Sequence, residues 1–181
     1  MIKVQVGVIG CGQRLQFLTK ILGAEQGVEF SGAWDPNAEN AKKLLTSAGS
    51  PEGRVYDSYQ ELVADPKIDW IMVGSPNVFH KEHILAGFAA GKHVFTEKPL
   101  ATRIEDCVSI NEAHERSGKL FATGFVLRYS PLYRKAKEIL TSGALGKIVS
   151  IDANENIAPD HGAYIMVNWR RHRELSGPHI L

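Results

Sequence analysis

Residues 4–15 read Val4-Gln5-Val6-Gly7-Val8-Ile9-Gly10-Cys11-Gly12-Gln13-Arg14-Leu15, and the reading of this stretch decides the fold. The β-branched run Val4 to Ile9 predicts a buried strand. From Gln13 to Leu22 the apolar residues Leu15, Leu18, Ile21 and Leu22 fall at helical spacing, so a helix follows almost directly. Gly10 suits the sharp turn between the two, and Gly12 lets a ligand approach the backbone without a Cβ in the way. A helix starting there presents unpaired N–H groups and the positive end of its dipole, a combination that receives phosphate. Gly10, Gly12, Gln13 and Arg14 are therefore candidates for holding the pyrophosphate of a dinucleotide. The third position of the G-x-G-x-x-G pattern is Leu15, which predicts either a helix displaced from the sheet or a pocket shaped to take the side chain.

The same alternation continues down the chain. Val28 to Trp34 predicts a second strand ending at Asp35-Pro36-Asn37, with Ala38 to Leu45 helical behind it. Val55-Tyr56 and Tyr59 to Val63 imply a third crossover. Trp70 to Val73 is a fourth strand closed by Gly74-Ser75-Pro76-Asn77, and His83 to Ala90 is a helix stopped by Gly91. His93 to Thr96 is a fifth strand ending at Glu97-Lys98-Pro99, followed by a helix over Ile104 to Glu115 and a sixth strand over Leu120 to Thr123. Strands alternating with helices at this spacing predict an α/β protein: a doubly wound parallel sheet of Rossmann type, covering 1–124. Beyond it Leu132 to Leu140 is amphipathic, and Ile148 to Ile157 alternates as a half-exposed strand does. Residues 125–181 thus read as a second domain begun and cut short at Leu181.

Composition narrows the function. The 181 residues are 44% hydrophobic and 23% charged, with 21 Lys and Arg against 20 Asp and Glu, a balance without the field that draws in nucleic acid or an anionic membrane. No secretory leader precedes the first strand and no apolar run reaches membrane-spanning length. Two cysteines, Cys11 and Cys107, are too few for a disulfide framework, so a reducing cytoplasm is the expected setting. His83, His93, His114, His161, His172 and His179 share no metal-ligand spacing, and no metal is expected.

In open α/β sheets ligands bind beyond the carboxyl ends of the strands, which makes Ser75, Asn77, His80, Glu97 and Lys98 candidates for one crevice. Asp35 lies about 20 residues past the glycine motif, where a carboxylate binds an adenine-ribose hydroxyl and repels a 2′-phosphate, favouring NAD over NADP. It is equally a residue type suited to the turn before Pro36. His80 either contacts cofactor or orients its loop. Lys98 is the candidate catalytic residue, because hydride transfer at an alcohol carbon needs a group that stabilises developing oxyanion charge or helps move a proton; the competing reading is a solvated lysine at a strand end. Pro99 is a candidate for a cis bond.

The strand VGVIGCG, the turn AWDPN and above all GSPNVFHKEHILAGFAAGKHVFTEKPL resemble the Gfo/Idh/MocA family of NAD(P)-dependent oxidoreductases, as do GFVLRYSPLYRKAKEILTSGALGKI and NWRRHRELSG further on. The resemblance implies an N-terminal Rossmann domain for NAD or NADP and a C-terminal open-sheet α+β domain that supplies a pocket for a sugar- or cyclitol-like substrate and a homo-oligomer interface. It implies that Lys98 contacts the substrate hydroxyl and the nicotinamide, that Glu97 and Ser75-Pro76-Asn77 lie in the cofactor crevice, and that Trp169-Arg170 lies near the cofactor, with Arg128 a weaker match. The family's D-x-x-x-H segment, which carries a His proposed as acid or base, is not in the sequence, and His179 is not given that role. Three functions follow as expectations: hydride transfer between a nicotinamide cofactor and a polyol with Lys98 assisting at the substrate oxygen, an NAD-dependent glycosidase branch of the same family, and a dinucleotide-binding module without catalysis.

Overall fold

The computed structural model describes residues 3–156 and 158–178. Six strands, β1 (Val4–Ile9), β2 (Val28–Trp34), β3 (Arg54–Val55), β4 (Trp70–Val73), β5 (His93–Thr96) and β6 (Phe121–Thr123), pair in parallel in the order β3-β2-β1-β4-β5-β6. The order reverses direction at β1, so successive right-handed crossovers put the helices on opposite faces. Helices α1 (Gln13–Leu22) and α2 (Ala38–Ser47) pack on the face that carries Val6, Val8, Phe30 and Ala33. Helices α3 (Tyr59–Ala64), α4 (His80–Ala89) and α5 (Ile104–Ser117) pack on the other, around Ile9, Ile71, Val73 and Val94. The alternation of Val6 and Val8 with Ile9 across the two clusters is the period-two pleat of a strand buried on both sides.

Local sequence explains where the helices begin. Asn37 caps α2 through Glu39 N at 3.1 Å, and Ser58 caps α3 through Glu61 N at 3.1 Å. Helix α1 has Gly12 at its N-cap and no side chain on its first N–H groups. Lys92 is 7% exposed at the start of β5, and its ammonium donates to the carbonyls of Asp65 and Ile68, both at 2.7 Å, tying the loop before β4 to the sheet.

Leu15 takes the second of the two possibilities open to it. It is 1% exposed, and the room for it lies across the turn at Gly74, where an added Cβ would stand 2.4 Å from Leu15 Cγ. The small residue that usually sits in the helix has its counterpart at the end of β4. Gly10, with φ +82°, closes against the same segment: a Cβ there would come within 2.4 Å of Ser75 N.

After β6 the chain forms α6 (Pro131–Thr141), α7 (Pro159–Ile165) and α8 (Arg173–Ser176). The strand expected over Ile148 to Ile157 is not formed: residues 148–156 are neither helix nor strand, and Ile157 lies outside the described residues. An alternating segment becomes a strand only when a neighbour takes its backbone N–H and C=O groups, and among the described residues none pairs with it. The open sheet expected beyond residue 125 is accordingly absent from the described residues.

Because Leu15 and Gly74 divide one space, Gly74→Ala should lower the unfolding free energy by about 1–3 kcal/mol through overpacking. Leu15→Ala alone should cost about 2–5 kcal/mol. Urea denaturation of both single variants and the double variant should show a combined cost below the sum of the two; strict additivity would contradict the shared-space account.

Candidate functional site

The glycine loop is held in place from the end of β2. Cys11 N donates to Asp35 Oδ2 at 2.8 Å, while Asn37 N and Asn40 Nδ2 donate to Oδ1 at 2.9 and 3.1 Å. Gly10 N donates to the Trp34 carbonyl at 2.9 Å. Three N–H donors make ionised Asp35 part of the loop's own structure, and burial together with that charge pushes the Cys11 thiol well up from its ordinary value. The turn reading of Asp35 therefore holds structurally, and the carboxylate also lines the cavity beside it.

That cavity, about 440 Å³, opens at the carboxyl ends of β1, β2 and β4, within the range usual for ligand pockets. Gly12 borders it with open space where a Cβ would be, and the uncapped start of α1 faces the same loop. Of the sequence candidates it brings together Gly10, Gly12, Asp35, Ser75 and Trp169. It adds residues that sequence reasoning did not select: Trp34, Tyr59, Phe79, Glu82 and His83. Their signal was present, since each stands at a strand end or in the first turns of a following helix, but aromatic residues there read equally well as core.

His83 is the centre of that aromatic wall. Its ring lies 4.6 Å from Tyr59 and 5.8 Å from Trp34, both edge-on, and Nδ1 is 2.9 Å from the Ser75 hydroxyl. Burial pushes its pKa down to about 4, with Glu82 opposing and His80 assisting. A neutral ring accepts the Ser75 O–H at Nδ1. Tyr59 donates to Glu82 Oε1, a bond that raises the phenol to about 12.

Seven of the sequence candidates (Gln13, Arg14, Asn77, His80, Glu97, Lys98 and Arg170) are not in the lining of this cavity. His80 is 1% exposed and its ring nitrogens face the carbonyls of Pro99 and Ser75 at 2.7 and 2.9 Å, so it bridges the ends of β4 and β5 and orients their loops. Burial is the largest influence on it and lowers its pKa, against the pull of the two carbonyls and of Glu97. The Asn77 amide is also turned away, donating to the Ser176 carbonyl at 2.8 Å. Arg14 Nε and Glu97 Oε1 form an ion pair at 3.0 Å that joins the start of α1 to the end of β5, with the Glu97 side chain 8% exposed. Lys98 is exposed, its backbone N–H donates to Glu97 Oε2 at 3.3 Å, and the Lys98-Pro99 bond is cis, as its place at the strand end suggested.

Gln13 is exposed at the first position of α1. The Arg170 guanidinium lies 3.9 Å from the Tyr164 ring centroid and 4.6 Å from that of Trp169. Arg128 stands over Phe125 at 5.1 Å. Among the described residues no three His, Cys, Asp or Glu side chains converge as a metal site would require, and no helix is long and apolar enough to cross a membrane. His179 lies outside the described residues.

A parallel sheet of this order, with a glycine loop and an acidic partner at its switch point, is the architecture of a dinucleotide-binding unit. Residues 4–125 match the model of the GFO_IDH_MocA oxidoreductase family with its NAD-binding Rossmann fold, and the chain belongs to that family. Inositol 2-dehydrogenase 3 of Saccharopolyspora erythraea is 38% identical over 148 residues, 79% of this chain and 42% of that protein. The 2,7-anhydro-N-acetylneuraminate hydratase of Escherichia coli is 27% identical over 178 residues, 98% of this chain and 46% of that protein. The crystal structure of myo-inositol dehydrogenase from Lactobacillus casei with NAD(H) and myo-inositol superposes with a TM-score of 0.73 at 31% identity, covering 81% of this chain and 43% of that one. The chain spans less than half the length of these relatives.

The depressed pKa of His83 fixes a sign. Between pH about 6.5, where a histidine in the unfolded chain titrates, and about 4, the unfolded state binds the proton that the folded state refuses, so stability falls as pH falls through that window. Urea midpoints measured from pH 7 to 4.5 should drop less steeply in His83→Gln than in the parent protein; parallel pH profiles would show that His83 does not carry the effect.

Proposed function

We propose that this chain is the cofactor-binding part, with the start of the substrate domain, of an NAD-dependent dehydrogenase acting on a cyclitol- or sugar-like polyol. The observation that carries the reading is one continuous arrangement at the strand ends: the Asp35-anchored glycine loop on one side of Arg14 and the Glu97-Lys98 strand end on the other. Residues 1–124 form the binding unit, and residues 125–181 begin the domain that shapes the substrate pocket and a homo-oligomer interface. Two free cysteines suit a cytoplasmic setting.

The residues present fit the dinucleotide. Gly12 and the open start of α1 receive the pyrophosphate, while Asp35 faces the adenosine ribose with lone pairs that its three internal donors leave over. A carboxylate at that point disfavours a 2′-phosphate, which supports NAD over NADP. The aromatic residues Trp34, Tyr59 and Phe79 suit a flat base, and Trp169 lines the same cavity. NAD, when bound, supplies the hydride acceptor.

Lys98 is the residue assigned to the substrate oxygen. An exposed ammonium at the carboxyl end of β5 provides a cation for a hydroxyl becoming an oxyanion, and the neighbouring Glu97 is already neutralised by Arg14. A second reading, oxidation that is reversed within one cycle to make or break a glycosidic bond, is supported by the similarity to the anhydro-sugar hydratase over nearly the whole chain.

In the whole protein, Lys98→Ala should lower kcat/KM by about 10²–10⁴ on a responsive polyol with NAD affinity nearly unchanged. The assay follows absorbance of the reduced nicotinamide across a panel headed by inositols. Undiminished turnover removes Lys98 from the chemistry. Substrate consumption without net reduced cofactor selects the second reading, and tight NAD binding without any turnover selects the non-catalytic module.

A further inference from the structure

The segment that brings Trp169 to the cavity is fastened to the binding unit at one buried point. Asn77, in the 3-10 turn Asn77–Phe79, is 8% exposed, and its Nδ2 donates to the carbonyl of Ser176, itself 3% exposed. Beside that bond Gly177 adopts φ +78°, and a Cβ there would stand 2.9 Å from Thr102. From the fastening a chain of hydrogen bonds leads to the cavity: Ser176 N donates to the His172 carbonyl at 2.9 Å, and His172 N to the Trp169 carbonyl at 3.1 Å. Trp169 then lines the cavity with Gly10, Gly12 and Asp35.

We propose that Asn77 is a positioning residue for the dinucleotide: its amide latches residues 168–177 onto the turn after β4 and so fixes Trp169 as a wall of the cavity. Sequence reasoning placed Asn77 against the cofactor itself. The geometry gives it a backbone partner far along the chain and keeps it off the cavity surface. A buried amide with that partner is costly to remove, because the Ser176 carbonyl is left without its donor. The latch also makes the cofactor site depend on a segment that follows the whole sheet, so binding strength and the seating of the C-terminal region become linked quantities. This inference rests on reading the cavity as the NAD site.

A double-mutant cycle distinguishes a latch from a contact. NAD dissociation constants are measured by calorimetric titration for the parent protein, Asn77→Ala, Trp169→Ala and the combined variant. If Asn77 acts through Trp169, each single variant weakens binding by roughly tenfold and the combined variant is no weaker than the poorer single one. Multiplied effects, or an Asn77→Ala that binds like the parent, overturn the proposal. Gly177→Val attacks the latch from the other side without touching the turn after β4, and it should reproduce the loss even where Asn77→Ala folds poorly. Limited trypsin digestion gives a readout independent of cofactor: cleavage at Arg170, Arg171 and Arg173 should accelerate in both latch variants, and unchanged cleavage argues against the latch. A parent protein that binds no NAD would sink the functional reading, while the digestion would still decide the latch.

Discussion

The bond from Cys11 N to Asp35 Oδ2 joins the ends of the neighbouring strands β1 and β2, and most of the site takes its shape from it. Parallel strands alone would leave the glycine loop free to open, since Gly10 and Gly12 carry no side chains to hold it. The carboxylate supplies the missing restraint and draws on the start of α2 as well, through Asn37 N and Asn40. A charged acceptor with three donors makes stronger bonds than a neutral one, which holds the glycine loop in one conformation beside the cavity. The same residue lines the cavity, so the restraint on the loop and the cavity wall are one group and cannot be separated by substitution.

A second restraint comes from packing. Leu15 occupies the space above Gly74, and Gly10 lies almost against Ser75, so the turn after β1 and the turn after β4 fit together with no room for an extra methyl. The two turns flank the point where strand order reverses. Close approach there brings Ser75 and His83 within reach of a ligand held by the glycine loop, and the buried ring of His80 carries the alignment on to Pro99 and Lys98. Three strand ends are thereby set relative to one another by contacts that involve no ligand, which is preorganisation of the cavity they border.

The succession of the six strands along the chain and the residues at their ends were legible in the sequence because each crossover changes the hydrophobic period from two to 3.6 and is punctuated by Gly, Pro or Asn. The partner of Leu15 was not legible: nothing local marks Gly74 as the compensating small residue. Nor was the difference between Asn77 and Ser75, adjacent candidates of similar polarity, one turned to Ser176 and the other to His83. The alternation over Ile148 to Ile157 misled for the opposite reason. It is a statement about side chains, whereas a strand is made by backbone partners that one segment does not contain.

The reversal of strand order has a further structural consequence. With α1 and α2 over one end of the sheet and α4 and α5 under the other, the half-face carrying Trp70, Met72 and Phe95 receives no helix from the crossovers themselves. It forms an apolar hollow of about 570 Å³ that runs from Val4 and Ile21 to Phe125 and Tyr129, and Ile21 and Phe125 remain 50% and 45% exposed. Water against that much apolar surface is unfavourable by roughly 25 cal/mol for each Å², so this half-face leaves burial incomplete among the described residues. The cavity at the strand ends and the uncovered half-face arise from the same switch in winding direction, which opens a crevice at the carboxyl ends of the strands and leaves one flank of the sheet without a crossover helix.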